Sequence, residues 1–223
     1  EEVGMGLAPL GEEQAEIAHR AMAGSLLRTE SALGLMARMA GDHQKARRHL
    51  ARALHLATLV DDVGSECKAM RRLGMLALQS EDYPRALNLF STAANQPTVH
   101  DADAVPSMVL AAIASSLTGD ASTAETWVNN ASSHLMADPS AGSTVLERVG
   151  KALLAIDRPE LAIELFDESM ECATIAGEEE RHEVLSTCMV QAELALDDSE
   201  RENIPMLRRL LDGLTPAAQE QQR

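Results

Sequence analysis

The sequence has few aromatic residues and few cations for its size. One Trp, one Tyr and two Phe are too few to stack the successive bases of a single-stranded nucleic acid. Nineteen Lys and Arg stand against 35 Asp and Glu, a net charge of −16, whereas a nucleic-acid-binding surface must be cationic to neutralise phosphates. Direct binding to nucleic acid is therefore not expected.

Long apolar runs and cysteine motifs are missing as well. The longest nearly apolar stretch, 109–117, is interrupted by serine and is far too short to span a membrane, so no membrane insertion is expected. The three cysteines are widely spaced and form no CxxC pair, so neither a zinc ribbon nor a disulfide framework is predicted. With no secretory leader visible, we expect a cytoplasmic protein with reduced, mostly buried thiols.

Motifs for catalysis and for cofactor binding are also missing from the sequence. There is no phosphate-binding glycine loop, no nucleophile elbow and no metalloprotease motif. His49 and His55 are six residues apart, which places them on different faces of a helix and prevents them from chelating a metal together. We predict no catalytic residue, no metal site and no cofactor, and hence a protein that is not an enzyme.

What the sequence does contain is a helix-pair pattern that recurs four times. In each copy a helix with Gly or Ala is followed by a short polar break and a second helix with a pivotal alanine. The pivotal alanines, which are 40, 38 and 38 residues apart, are Ala46, Ala86, Ala124 and Ala162. Four positions after them stand the bulkier residues Leu50, Phe90, Val128 and Phe166. Because residues four apart share one helix face, each bulky side chain is predicted to fill the seam against the small residues of the first helix.

The breaks between the helices predict tight turns. Gly41-Asp42, Glu81-Asp82 and Gly119-Asp120 combine a residue that ends one helix with an aspartate that caps the next. No alternating β-branched pattern predicts a strand. A helix pair of this size cannot bury its apolar face alone, so the copies are expected to stack into an all-α array.

This pattern resembles the tetratricopeptide repeat (TPR), in the variant with a period near 40 residues. The residues that carry the resemblance are Leu33, Gly34, Ala46, Leu50 and Ala53 in one copy and Leu73, Gly74, Ala86, Phe90 and Ala93 in the next. The resemblance implies a right-handed TPR-like solenoid of antiparallel helix pairs. We expect an N-terminal segment and leading helix at 1–24, about four helix pairs at 25–175, a C-terminal capping pair at 176–214 and a disordered tail at 215–223.

The resemblance also implies a partner-binding groove, because TPR proteins bind partners on the concave face lined by the first helices. The groove positions predicted for this chain are Arg28, Leu35, Arg38, Met39, Lys68, Arg71, Arg72, Met75, Leu78, Ile113, Leu117, Arg148 and Lys151. Basic and apolar side chains dominate this set in an otherwise acidic protein. We therefore expect a non-catalytic scaffold or adaptor that holds a peptide or helical segment with acidic and apolar residues.

Two other functions stay open from the sequence. Stacked end faces of the repeat array could drive homo-oligomerisation, which would make the chain a self-assembly module. The chain could also be the sensor or interaction domain of a larger regulator. Measurement of the oligomeric state over a range of concentrations separates the first alternative from a monomeric adaptor.

Overall fold

The computed structural model describes residues 11–96 and 101–196, and every regular element within these ranges is an α-helix. In chain order the helices are α1 (Glu12–Met39), α2 (His43–Leu59), α3 (Val63–Gln79), α4 (Tyr83–Ala94), α5 (Asp101–Leu117), α6 (Ala121–Ala137), α7 (Pro139–Leu154), α8 (Pro159–Ala176) and α9 (Glu180–Ala195). Across short turns α1 packs antiparallel to α2, α5 to α6, α7 to α8 and α8 to α9, and Gly74 of α3 meets Phe90 of α4. The all-α prediction is confirmed.

The two ends of the described chain differ from the repeats between them. α1 has 28 residues and passes without a break through Gly24 and Ser25, so the leading helix and the first helix of the first repeat are one element. α9 lies within the capping pair expected at 176–214. The part of that pair after residue 196, and the tail expected from 215, lie outside the described residues.

The chain divides into two compact units, and the division falls within α3. The first unit ends at Ala69 and the second begins at Met70. A small cluster around Leu27, Ala53 and Ala57 forms a core within the first unit. In the second unit one continuous core runs from Met75 to Leu196 and includes both phenylalanines.

The helix turns confirm the predicted stop-and-cap chemistry. The side chains of Asp42, Asp82 and Asp120 each accept a hydrogen bond from the backbone N–H three residues further on, at 2.9, 3.3 and 3.0 Å. The residue before the aspartate has a left-handed backbone, with φ of 77° at Gly41 and 81° at Gly119. Glycine suits this conformation because it has no Cβ to collide with the following carbonyl group.

The predicted seams between paired helices are also confirmed. The glycine–bulky pairs that meet are Gly34–Leu50, Gly74–Phe90 and Gly150–Phe166. A Cβ atom placed on these glycines would lie 2.8, 2.5 and 2.7 Å from the nearest atom of the facing side chain. The pivotal alanines beside these contacts are all buried. The helices can therefore approach closely only because one of them carries no side chain at the contact.

Acid is expected to weaken the helix caps at Asp62 and Asp120. The backbone N–H of Ser65 donates to Asp62, and the hydroxyl of Thr123 donates to Asp120; these bonds lower the pKa of both carboxyl groups below their usual 3.8. A carboxyl group whose pKa is lower in the folded than in the unfolded state stabilises the fold fully at pH values above its unfolded-state pKa. This stabilisation is lost as the pH falls from the unfolded-state pKa through the folded-state pKa. We therefore expect a loss of stability below about pH 3.8.

The measurement is urea unfolding at pH 5 and at pH 3, for the parent protein and for Asp62→Ser/Asp120→Ser. Serine caps a helix without ionising, so this variant should lose less stability on acidification than the parent. Glu125→Gln is the matched control, because it removes an exposed carboxylate from α6 that caps no helix. Equal acid sensitivity of the parent and the serine variant would contradict the prediction.

Candidate partner-binding surface

In the first unit, the predicted groove positions lie on α1 and on the start of α3. Arg28 is exposed, Leu35 and Arg38 are half-buried, and Met39 is 78% exposed at the end of α1. Lys68 is exposed on α3. Each of these side chains has some surface that a partner could contact.

In the second unit, the accessible groove positions lie on α3, α5 and α7. Arg71 and Arg72 are half-buried on α3, Leu117 is half-buried at the end of α5, and Arg148 and Lys151 are exposed on α7. Arg71 Nη1 donates to the hydroxyl of Ser107 on α5 at 3.4 Å. This bond joins two successive first helices, so the arginine stands at their shared surface.

Three apolar groove positions prove to be core residues. Met75, Leu78 and Ile113 are 6%, 0% and 3% exposed and belong to the continuous core of the second unit. A helix inside a repeat array contacts neighbours on several sides, so most of its circumference is buried and its apolar side chains face the core. These three residues offer no surface to a partner in this structure, and the accessible part of the predicted site is mainly cationic.

A network of charged groups joins α7 to α9, and the sequence prediction missed half of it. Glu147 accepts hydrogen bonds from Lys151 Nζ on α7 and from Arg181 Nη2 on α9, both at 2.6 Å. Arg181 Nη1 also donates to Thr144 Oγ1 at 2.7 Å. The hydrogen bond to Glu147 raises the pKa of the Lys151 ammonium group above its ordinary value.

Arg181 therefore belongs to the same surface as the predicted cations of α7. Glu147 lies one residue before the predicted groove position Arg148, and in the structure two cations neutralise it. Thr144, which Arg181 contacts, lies 37 residues before it, close to the spacing of 38–40 between the repeats, and this is the sequence signal that could have found the arginine. The cationic surface of the second unit is defined by Arg71, Arg72, Arg148, Lys151 and Arg181.

Other titratable groups have structural partners. His49 Nδ1 lies 2.6 Å from the carboxylate of Glu30, and Arg52 lies 3.7 Å from the same carboxylate, so the acid holds α1 against α2. Within residues 11–96 and 101–196, no group of three or more His, Cys, Asp or Glu side chains is arranged to hold a metal ion. All three cysteines are buried, and burial raises the pKa of the Cys172 thiol to about 12, which removes it as a nucleophile near neutral pH.

The arrangement defines a class of protein, one built of α-helix pairs that meet at small-residue seams. Comparison with known families agrees, because the sequence model of the tetratricopeptide repeat matches residues 25–96. This segment thus consists of tetratricopeptide repeats, which confirms the resemblance seen in the sequence. Such repeats bind other proteins, so the general function of a protein-interaction module follows from the match.

Solved structures of similar arrangement include two of the nearly identical TPR-like repeats of a protein described as a kinesin light chain, from Podosopora anserina. Both are 15% identical to this chain with a TM-score of 0.46, and the alignments cover 88% of this chain. One of them, a point variant of the other, is covered over 97% of its own length and the other over 96%. No curated protein matches the sequence.

A helix that crosses a membrane needs about 20 consecutive, mostly apolar residues. In the part of the chain that the structure describes, no helix combines the length and the apolar character that a crossing needs.

Proposed function

We propose that the protein is a non-catalytic adaptor that binds a partner segment rich in acidic and apolar residues, on the surface of its first helices. The observation that carries the proposal is the cationic surface of the second unit. Its members lie on α3, α7 and α9, and α5 is joined to this surface by the bond from Arg71 to Ser107. A partner carboxylate would approach several guanidinium and ammonium groups there.

Electrostatics favours an acidic ligand because the five cations of this surface outnumber the carboxylates of Glu147 and Glu178 that contact it. Glu147 is paired with Lys151 and Arg181, and Glu178 is paired with Arg181, so both carboxylates are already neutralised. The chain as a whole is strongly acidic, with 35 Asp and Glu against 19 Lys and Arg, so a negatively charged segment is attracted only where cations concentrate, as they do here. The local charge, and not the net charge, therefore selects the partner.

Fewer apolar side chains are accessible to the apolar part of the proposed ligand than the sequence suggested. Leu117 is half-buried in the second unit, and Leu35 and Met39 remain accessible in the first. Because Met75, Leu78 and Ile113 are core residues, the apolar contacts of a ligand are limited to shallow positions beside the cations. We therefore propose charge as the main determinant of affinity and apolar contact as the minor one.

The same proposal places the protein in the cytoplasm and gives it no catalytic role. The three thiols are buried and form no disulfide, as suits a reducing compartment. Ion pairs on the proposed surface fix α7 against α9. Among the five residues of the cationic surface, no nucleophile lies beside a base.

Binding can be tested with a short synthetic peptide of Asp, Glu and Leu, labelled for fluorescence anisotropy, against a peptide in which Lys and Arg replace the acids. We expect the acidic peptide to bind more tightly and its affinity to fall as salt rises. Arg148→Glu should weaken it roughly tenfold, because a reversed charge at an exposed site replaces attraction by repulsion. A second variant, Arg71→Glu/Arg72→Glu, tests the cations on α3.

The matched control is Arg85→Glu, an exposed arginine on the second helix α4, outside the proposed surface. It makes the same change of net charge, so any long-range effect appears in both variants. Equal affinity for the acidic and basic peptides, or equal weakening by Arg85→Glu and Arg148→Glu, would refute the proposal.

A further inference from the structure

α2 has a charge opposite to that of the whole chain. Its 17 residues contain four cations, Lys45, Arg47, Arg48 and Arg52, and no acid, although acids outnumber bases by 35 to 19 in the protein. α2 is a second helix, so these cations are not part of the surface proposed above. Their concentration on one helix needs a separate explanation.

Most of these cations lie on one exposed line of the helix. The buried face of α2 consists of Ala46, Leu50, Ala53 and Ala57. The exposed line follows the spacing 3, 4, 3, 4 that keeps residues on one helix face, and it consists of Lys45, Arg48, Arg52, His55 and Leu59. α2 therefore presents a basic edge to solvent that ends in an exposed leucine.

An apolar line on α1 runs beside this basic edge within the first unit. Met22, Leu26, Leu33 and Met36 share one face of α1 and are all exposed, Met22 to 70% and Met36 to 64%. An open pocket of about 420 Å³ joins the two helices and is lined by Leu26, Glu30, Ala51, Arg52, His55 and Leu56. We name these two lines together with the pocket the basic end face. It is apolar on α1 and cationic on α2.

α9, at the other end of the described chain, has the complementary character. Its buried residues are Leu185, Cys188 and Ala192. Its exposed line consists of Glu180, Glu183, Thr187, Val190 and Leu194. The side chain of Leu194 is 80% exposed, and the arginine of this helix, Arg181, is bonded to Glu147 on the adjacent helix. The acidic end face, defined by that line, is thus negative at its start and apolar at its end.

We propose that the basic end face of one copy binds the acidic end face of a second copy, head to tail. Charge complementarity selects this occupant. The exposed line on α2 is cationic, and Glu30 beside it is already paired with His49 and Arg52, whereas the exposed line on α9 begins with two glutamates. Such a contact is heterologous, so every added copy leaves one face of each kind unoccupied. The expected product is a concentration-dependent series of oligomers and not a single closed dimer.

The primary experiment is sedimentation equilibrium of the full chain over a range of concentrations at low and high salt. Association should weaken as salt rises, because the paired charges are exposed. Arg48→Glu should weaken association roughly tenfold, since it places like charges opposite each other. Arg47→Glu is the matched control: it lies about 100° further around the same helix, outside the exposed line, and should have little effect.

A charge exchange then tests the pairing itself. Glu183→Arg alone should weaken association like Arg48→Glu, whereas an equimolar mixture of the two variants should associate as the parent does, because each damaged face meets a compensating one. Leu194→Asn gives a test that does not depend on charge and should also weaken association. Circular dichroism of each variant confirms that the helices are retained.

Two results would overturn the proposal. A parent chain that stays monomeric at all concentrations and salts has no such contact. A fixed dimer that is insensitive to Glu183→Arg would show that identical faces meet in a closed pair.

Discussion

Replacement of Phe166 by alanine is expected to lower the free energy of unfolding of the second unit by about 3–5 kcal/mol. Phe166 has no exposed surface, and its ring lies directly over Gly150, where a Cβ atom would be 2.7 Å from the ring. Because α7 has no side chain at that point, nothing on the facing helix can move into the space that the ring leaves. The cavity should persist and add its cost to the lost apolar contact.

Ile175→Ala is the control for this prediction, because Ile175 lies on the same helix, α8, but is 51% exposed. Its expected cost is below about 1 kcal/mol, in the range of substitutions that leave no cavity. Urea unfolding followed by circular dichroism measures both variants under the same conditions. A cost for Phe166→Ala that is no larger than that of Ile175→Ala would mean that the seam does not stabilise the repeat.

Two glycine-to-alanine substitutions are expected to act with opposite signs. In an isolated helix, alanine is more favourable than glycine by about 1 kcal/mol. At Gly24 the nearest side-chain atom, on Arg28, is 4.0 Å from the added Cβ, so Gly24→Ala should raise stability by up to about that amount. At Gly74 the added Cβ would lie 2.5 Å from the buried ring of Phe90, so Gly74→Ala should lower stability by about 2 kcal/mol.

A second substitution should rescue the Gly74 variant if the clash with the ring is the cause. The third repeat has Ala112 and Val128 at the corresponding positions, and both are buried. Gly74→Ala/Phe90→Val reproduces that combination and should be more stable than Gly74→Ala alone. Thermal or urea unfolding measures the stability of both variants. A double variant less stable than Gly74→Ala would show that the Phe90 ring is not what opposes the alanine.

The seams and turns could be predicted from the sequence because their causes are local. A glycine on one helix and a bulky residue four positions after an alanine on the next meet across a turn of three or four residues, so no information about distant parts of the chain is needed. The same holds for the caps, where Asp42 or Asp82 reaches a backbone N–H three residues away. For such features the order of residues determines the geometry.

The sequence could not determine which faces of a helix are covered. The helical phase grouped Met75 and Leu78 on a face with Arg71 and Arg72, but it did not show that the apolar members of that group are enclosed by other helices. It also left Arg181 unassigned, because the contact with Glu147 joins residues of two different repeats.

By itself, then, the sequence determined the helix pairs, their tight seams and their repetition, since short-range sterics and hydrogen bonds decide these. Only the tertiary structure decided which side chains remain available to a partner. Burial depends on helices that are distant in sequence, and the burial of Met75, Leu78 and Ile113 reduced the expected basic and apolar groove to a mainly cationic surface. The same three-dimensional packing left basic and apolar lines exposed on α2 and α1, and an acidic line on α9, where the sequence had shown only a net charge.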